Sequence, residues 1–169
     1  MSKIVIELQQ EALKSDFDIL NLLRKAYLVA RKLKLNEFEK WIDSELNGYK
    51  NLDKIPDYRL LRGEVKAWNP YHGWIPVIFE DDIESITTHS ASDTISSLLN
   101  VYENSENRTA ILPFNASMNN YLSKHGGFHT KYALMIGTNQ IYNIIERVRN
   151  IILDWSITLE ENGILGEGL

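Results

Sequence analysis

The sequence predicts an α+β domain: an N-terminal three-helix segment, a small, mostly antiparallel sheet of about four short strands, and a long C-terminal helix as the core. Three observations predict it. Apolar residues recur every three to four positions through the first fifty residues and again from Thr138 to about Glu161. From Pro56 the period drops to two, as in half-buried strands. The resulting order, three helices, a strand pair, helix, strand, helix, strand and a long helix, suits few strands with helices packed on them.

Composition bounds the rest. With 169 residues, 44% hydrophobic and 24% charged, the chain is close to an average single globular domain and can bury roughly 70% of its unfolded surface. We therefore expect one domain over 1–169, with a helical part at 1–50, a strand-containing part at 55–137 and the long helix at 138–162. The absence of cysteine excludes a disulfide framework, a thiolate nucleophile and sulfur metal ligands. A net charge of −5 argues against a generic basic nucleic-acid surface. No apolar run approaches the ~18 residues of a membrane span, and MSKIVIELQQ lacks a signal peptide's apolar core. The expectation is a cytoplasmic protein with no membrane segment.

In the first helix Ile4, Leu8 and Ala12 share a face. Ser15 with Asp18 offers a cap for a second helix carrying Ile19, Leu23, Ala26, Ala30 and Leu33. Asn36 with Glu39 approximates a capping box for a third, with Phe38, Trp41, Ile42 and Leu46 on it and Gly48 ending it. Arg24, Lys25, Arg31, Lys32 and Lys34 cluster on the second helix. They read as a solvated face or as an anion-binding one.

Tyr58 to Trp68 alternates apolar and polar from Leu61 onward, and Asn69 to Gly73 is a turn. Trp74 to Phe79 is a second strand, at an edge or a bulge because Pro76 cannot donate to a ladder. Ser90 or Ser92 caps a helix running to about Tyr102. Thr109 to Leu112 is a strand ended by Pro113, and Phe114 to Leu122 a helix. Gly126-Gly127 breaks the chain, and Phe128 to Ile136 is the strand that delivers it to the long helix. In that helix Ile141, Ile145, Val148, Ile152, Trp155 and Leu159 form one stripe, widened by Ile144 and Ile151. Burying the stripe contributes about 10 kcal/mol gross at ~1.5–3 kcal/mol per large side chain, comparable with the whole net stability of a domain. Its width can serve both this core and a partner. Gly163 suits the left-handed position after the last turn, with Ile164 packing back on Leu159. Residues 163–169 then read as a flexible exit toward a further domain.

Four constellations bear on chemistry. Pro56-Asp57 followed by Glu64-Val65-Lys66 spells the PD…ExK pattern of metal-dependent nucleases, in which two acids hold a divalent cation and a lysine orients water. Six intervening residues leave little room for the turn that would place the acid and the triplet on neighbouring strands. Residues 80 to 106 carry seven acids and no Lys or Arg; Glu80-Asp81-Asp82-Ile83-Glu84 within them offers oxygen ligands without the glycine turn of a cation loop. His125 and His129 are four apart, but Gly126-Gly127 spoils a helical metal pair. Ser117 and Ser123 sit in no nucleophile elbow, and no phosphate loop or dinucleotide fingerprint occurs. No cofactor and no metal site is expected. Tyr58, Trp68, Tyr71 and Trp74, interleaved with Arg59, Arg62, Lys66 and His72, form a candidate surface for a ligand or partner.

Glu7 to Leu13 (ELQQEAL), Leu22 to Tyr49 (LLRKAYLVARKLKLNEFEKWIDSELNGY), Pro56 to Arg59 (PDYR) and Leu153 to Gly168 (LDWSITLEENGILGEG) together resemble the AbiTii domain of bacterial proteins associated with abortive infection and phage conflict. None of these stretches is a catalytic motif. The resemblance implies a non-catalytic interaction, sensor or assembly module in anti-phage defence, engaging an effector domain, a phage component or a second copy of itself; the net charge, separately, disfavours nucleic acid as a partner. The alternative is a nuclease-type toxin using Asp57, Glu64 and Lys66.

Overall fold

The computed structural model describes residues 3–79 and 84–166, without the side chains of Glu84 and Ser85. Three helices come first, α1 (Ile4–Leu13), α2 (Ile19–Lys32) and α3 (Asn36–Asn47). Asp18, not Ser15, caps α2, its carboxylate accepting from the amides of Leu20 and Asn21 at 3.1 Å each. The capping box expected at Asn36 and Glu39 does not form. Lys34 instead adopts the left-handed conformation with φ 57°. The amide of Leu35 reaches back to Ala30 O at 2.9 Å and that of Lys34 to Arg31 O at 3.2 Å, a Schellman ending. That tight corner makes Leu35 the cap position and draws Asn36 into the first turn of α3.

Between Asp57 and Trp68 the chain departs from the single strand expected there. Asp57–Arg59 is one 3₁₀ turn, β1 (Leu60–Arg62) follows, and Gly63 separates it from β2 (Glu64–Asn69). Gly63 donates to Thr87 O at 2.8 Å. A Cβ built on it would lie 2.2 Å from Met135 O, so only glycine lets the chain pass here. After β2 come β3 (Gly73–Pro76), α4 (Glu84–Thr87), β4 (Thr88–Ser90), α5 (Ile95–Asn104), β5 (Thr109–Pro113), α6 (Ala116–Gly126), β6 (Tyr132–Gly137) and α7 (Thr138–Glu161). Strand β4 occupies Ser90, so the cap of α5 falls on Thr94, whose hydroxyl accepts from Ser97 N at 3.0 Å. Asn115 caps α6, accepting from Met118 N at 2.8 Å, and Phe114 therefore lies outside that helix.

Among the described residues two antiparallel sheets result: a ribbon of β1 and β4, and a four-stranded sheet in the order β3-β2-β6-β5. Both outer strands of the larger sheet end in proline, Pro76 in β3 and Pro113 in β5. On β5 the amide of Thr109 is further taken by Glu106 O at 3.1 Å. Neither edge can extend far as a ladder with a foreign strand.

Helix α7 is the hub and packs against α1, α2, α5, β6 and the 57–59 turn. Ile141, Ile145, Val148, Ile152 and Leu159 are buried as their spacing predicts, while Trp155 is half-buried and stacks on Phe38 of α3 at 3.7 Å. Ile144 is 1% exposed and widens the stripe inward. Ile151 is half-buried beside a shallow groove with Asn150, Leu153, Asp154 and Ile157. Arg149 closes the other end of α1: its guanidinium donates to Ala12 O at 2.7 Å and Lys14 O at 2.8 Å and lies over Phe17, satisfying carbonyls that the helix end leaves open. The expected Schellman ending of α7 forms, with Gly163 at φ 76° and Ile164 N donating to Leu159 O at 2.8 Å. Leu165 O then accepts from Val5 N at 3.2 Å. Among the described residues no helix is long and apolar enough to cross a membrane.

Candidate functional site

The residues singled out as a candidate ligand or partner surface separate into three places. Tyr58 and Arg59 belong to a buried polar network. Arg59 and Glu45 are both 0% exposed. Nε and Nη2 of Arg59 donate to Oε2 and Oε1 of Glu45 at 3.0 and 2.6 Å, a bidentate pair. Nη1 of Arg59 donates to Ala91 O and Asp93 O at 2.8 and 2.6 Å. Glu45 Oε2 also accepts from the hydroxyls of Tyr49 and Tyr58 at 2.5 and 2.6 Å, and Trp41 Nε1 donates to the Tyr58 hydroxyl at 2.9 Å. Burial, reinforced by the Glu45 carboxylate, pushes both phenols far above the ordinary tyrosine range. Among the described residues no buried side-chain polar atom lacks a partner. This network ties α3 to the turn before β1 and to the loop between β4 and α5. Its ion pair is closed to solvent, while Tyr49 and Tyr58 are half-buried.

Arg62 is held elsewhere, its backbone clasped by the amide of Gln140 on α7: Arg62 N donates to Gln140 Oε1 at 2.8 Å and Arg62 O accepts from Nε2 at 2.6 Å. Asp57 is exposed in the 3₁₀ turn before β1 of the ribbon, whereas Glu64 and Lys66 point from the outer face of β2 in the larger sheet. The PD…ExK residues are thus divided between the turn that leads into the ribbon and a strand of the larger sheet, with Gly63 separating β1 from β2.

The hairpin aromatics define the third place. Asn69 Oδ1 accepts from Tyr71 N at 2.8 Å and His72 N at 3.1 Å, which folds the β2–β3 turn and leaves Tyr71 90% exposed at its tip. Trp68 and Trp74 are cross-strand partners with an edge-to-face contact at 5.4 Å. Trp68 N donates to Lys131 O at 3.0 Å, and that bond brings the Lys131 ammonium over both indoles, at 4.7 Å from Trp68 and 5.7 Å from Trp74. The cation position on this aromatic pair is filled by the chain itself.

Beside it lies a groove on the outer sheet face. Val65, Ala67, Leu134 and Ile136 are buried on one side of the sheet, so the alternate residues Lys66, Met135 and Ile111 face the other. Ile111 is 47% exposed. With Trp74 these residues floor a groove of about 650 Å³ whose remaining wall is the C-terminal half of α5 and the following loop, including Asn100, Val101, Asn104 and Asn107. The floor is largely apolar and the rim is amide. Sequence reading missed this groove, although Ile111 and Met135 carry its signal: large apolar residues at the out-facing positions of β5 and β6.

The remaining candidates stay apart. His125 lies on α6 against the Tyr121 ring at 4.4 Å, while Gly127 in the left-handed region ends that helix before His129. Of the acidic run, residues 80–83 and the Glu84 side chain lie outside the described residues. Among the described residues no group of three His, Cys, Asp or Glu side chains is arranged to hold a metal ion.

No match to a curated protein or to a solved structure was found for the chain. The AbiTii family model matches residues 3–169, which include every element described above. The chain therefore belongs to the AbiTii family, with that family's association with abortive infection and anti-phage defence.

Proposed function

We propose that this domain is a non-catalytic interaction module of an abortive-infection system and that it docks a protein partner on the outer face of its four-stranded sheet. The groove floored by Trp74, Ile111 and Met135 carries this reading. An apolar centre ringed by polar side chains is how protein interfaces are built, and tryptophan is the commonest energetic anchor in them. Proline at both sheet edges disfavours docking by strand addition.

The test is phage challenge of cells expressing the complete natural protein. Ile111→Asp places a charge on an exposed position of the groove floor, and we expect protection to be lost while thermal unfolding of the purified variant matches the parent. Asp57→Asn and Glu64→Gln should leave protection intact. If Ile111→Asp protects fully, the docking face is wrong. If the two carboxylate variants fold normally and lose protection, the PD…ExK toxin reading replaces this one.

A further inference from the structure

We propose that the α2–α3 hairpin is a second, separate interface through which two copies of this chain associate about a two-fold axis, the cationic side of α2 in one copy lying on the acidic side of α3 in the other. Helix α2 carries Arg24, Lys25, Arg31 and Lys32 and no acid. Helix α3 presents Glu37, Glu39 and Asp43 against one cation, Lys40. Opposite charge thus concentrates on neighbouring helices of a chain whose net charge is −5.

The surface is shaped accordingly. Two shallow grooves adjoin at Tyr27: one of about 530 Å³ lined by Arg24, Leu28, Arg31 and Lys32, the other of about 400 Å³ lined by Asn36, Glu39, Lys40 and Asp43. Internal pairing leaves much of this charge open. Arg31 approaches Glu39 only at 3.8 Å, and Lys25 turns away to Glu11 at 3.2 Å. Arg24 and Lys32 have no ion pair among the described residues. Leu28, 45% exposed among cations, and the half-buried Tyr27 supply an apolar centre on the seam.

A patch with plus on one side and minus on the other is self-complementary under a two-fold axis through the seam, as a symmetric dimer requires. Between two acidic chains that juxtaposition also selects the orientation, since other approaches are repulsive. A polyanion would meet α2 favourably but would be opposed by the carboxylates of α3, which the second copy uses. The proposal does not depend on the sheet groove, and Ile111→Asp should leave it untouched.

Sedimentation equilibrium of the full chain tests it. We expect a dimer at low salt that weakens as ionic strength rises to about 0.5 M, where the Debye length shortens to a few ångströms. Arg24→Glu/Arg31→Glu and Glu39→Lys/Asp43→Lys should each weaken self-association at least about tenfold, since like charges then face each other. Mixing the two variants should restore a one-to-one heterodimer. A monomeric wild-type chain at every concentration, variants that dimerise unchanged, or folded variants that fail to pair when mixed would each overturn the proposal. So would a wild-type chain that binds a DNA oligonucleotide through Arg24 and Arg31 without self-associating, which would reassign α2 to a polyanion.

Discussion

Arg59→Met removes one half of the buried ion pair at nearly constant side-chain length. Glu45, at 0% exposure, then keeps only the hydroxyls of Tyr49 and Tyr58 as donors, and the carbonyls of Ala91 and Asp93 lose the Nη1 donor. Breaking a buried pair from one side costs about 3–5 kcal/mol, because the surviving charge stays in low dielectric. For a domain of this size each kcal/mol lowers the melting temperature by about 2–4 °C, so the expected drop is roughly 6–20 °C. Glu45→Met should cost a similar amount, leaving the guanidinium with two carbonyls. The double variant should cost at least about 2 kcal/mol less than the sum of the singles, since neither charge is then left without its partner. Urea denaturation followed by tryptophan fluorescence measures all three, with Trp41 reporting from inside the network. A coupling below about 0.5 kcal/mol, or a single variant costing under about 1 kcal/mol, would refute the assignment of this pair as a desolvated structural link.

Alkaline pH probes the same network from its tyrosines. Unfolded phenols ionise near pH 10, whereas burial and the Glu45 carboxylate hold those of Tyr49 and Tyr58 neutral well above that. Their contribution is therefore complete below about pH 10 and falls as pH rises, by up to ~1.4 kcal/mol per unit for each phenol. Stability should therefore fall progressively above about pH 10, and Tyr58→Phe should remove about half of that slope; an unchanged slope would count against a protonated Tyr58 in the fold. On α7, Ile144→Ser should cost about 2–5 kcal/mol and Ile151→Ser under about 1.5 kcal/mol in chemical denaturation, because only Ile144 is fully buried. Equal effects would show that the helix is rotated from its described orientation.

The long helix was legible because nearly seven turns of consistent spacing over 24 residues leave little choice of face, and its Schellman ending was legible from one glycine followed by an apolar residue. Pro76 announced an edge strand through a missing donor. The β1–β4 ribbon was not legible: Thr88–Ser90 has no apolar period, and its conformation follows from pairing with Leu60–Arg62 far back in the chain. The capping box failed for a similar reason, since Lys34 adopts a conformation that its residue type rarely takes. Arg59 reads as surface from the sequence, because a sequence shows a charge but not its partner. The signal lay in α3, where Glu45 falls three residues after Ile42 and four after Trp41, on the apolar stripe. An acid there calls for a buried cation.

That position also accounts for a charged link where an apolar contact would hold the helix as well. Helix α3 buries only Ile42 and Glu45 fully, its other core-facing side chains, Phe38, Trp41 and Leu46, being half-buried. Half-buried apolar contacts set the rotation of a helix about its axis less strictly than a bidentate guanidinium does. Fixing Glu45 inward on Arg59 fixes Glu39 and Asp43 on the opposite side, next to the cations of α2, and so sets the charge pattern that the proposed dimer needs. The Glu45→Met/Arg59→Met variant separates the two roles. If the pair serves orientation, that variant regains stability relative to either single change and still self-associates more weakly than the parent, because α3 keeps its place without keeping its rotation.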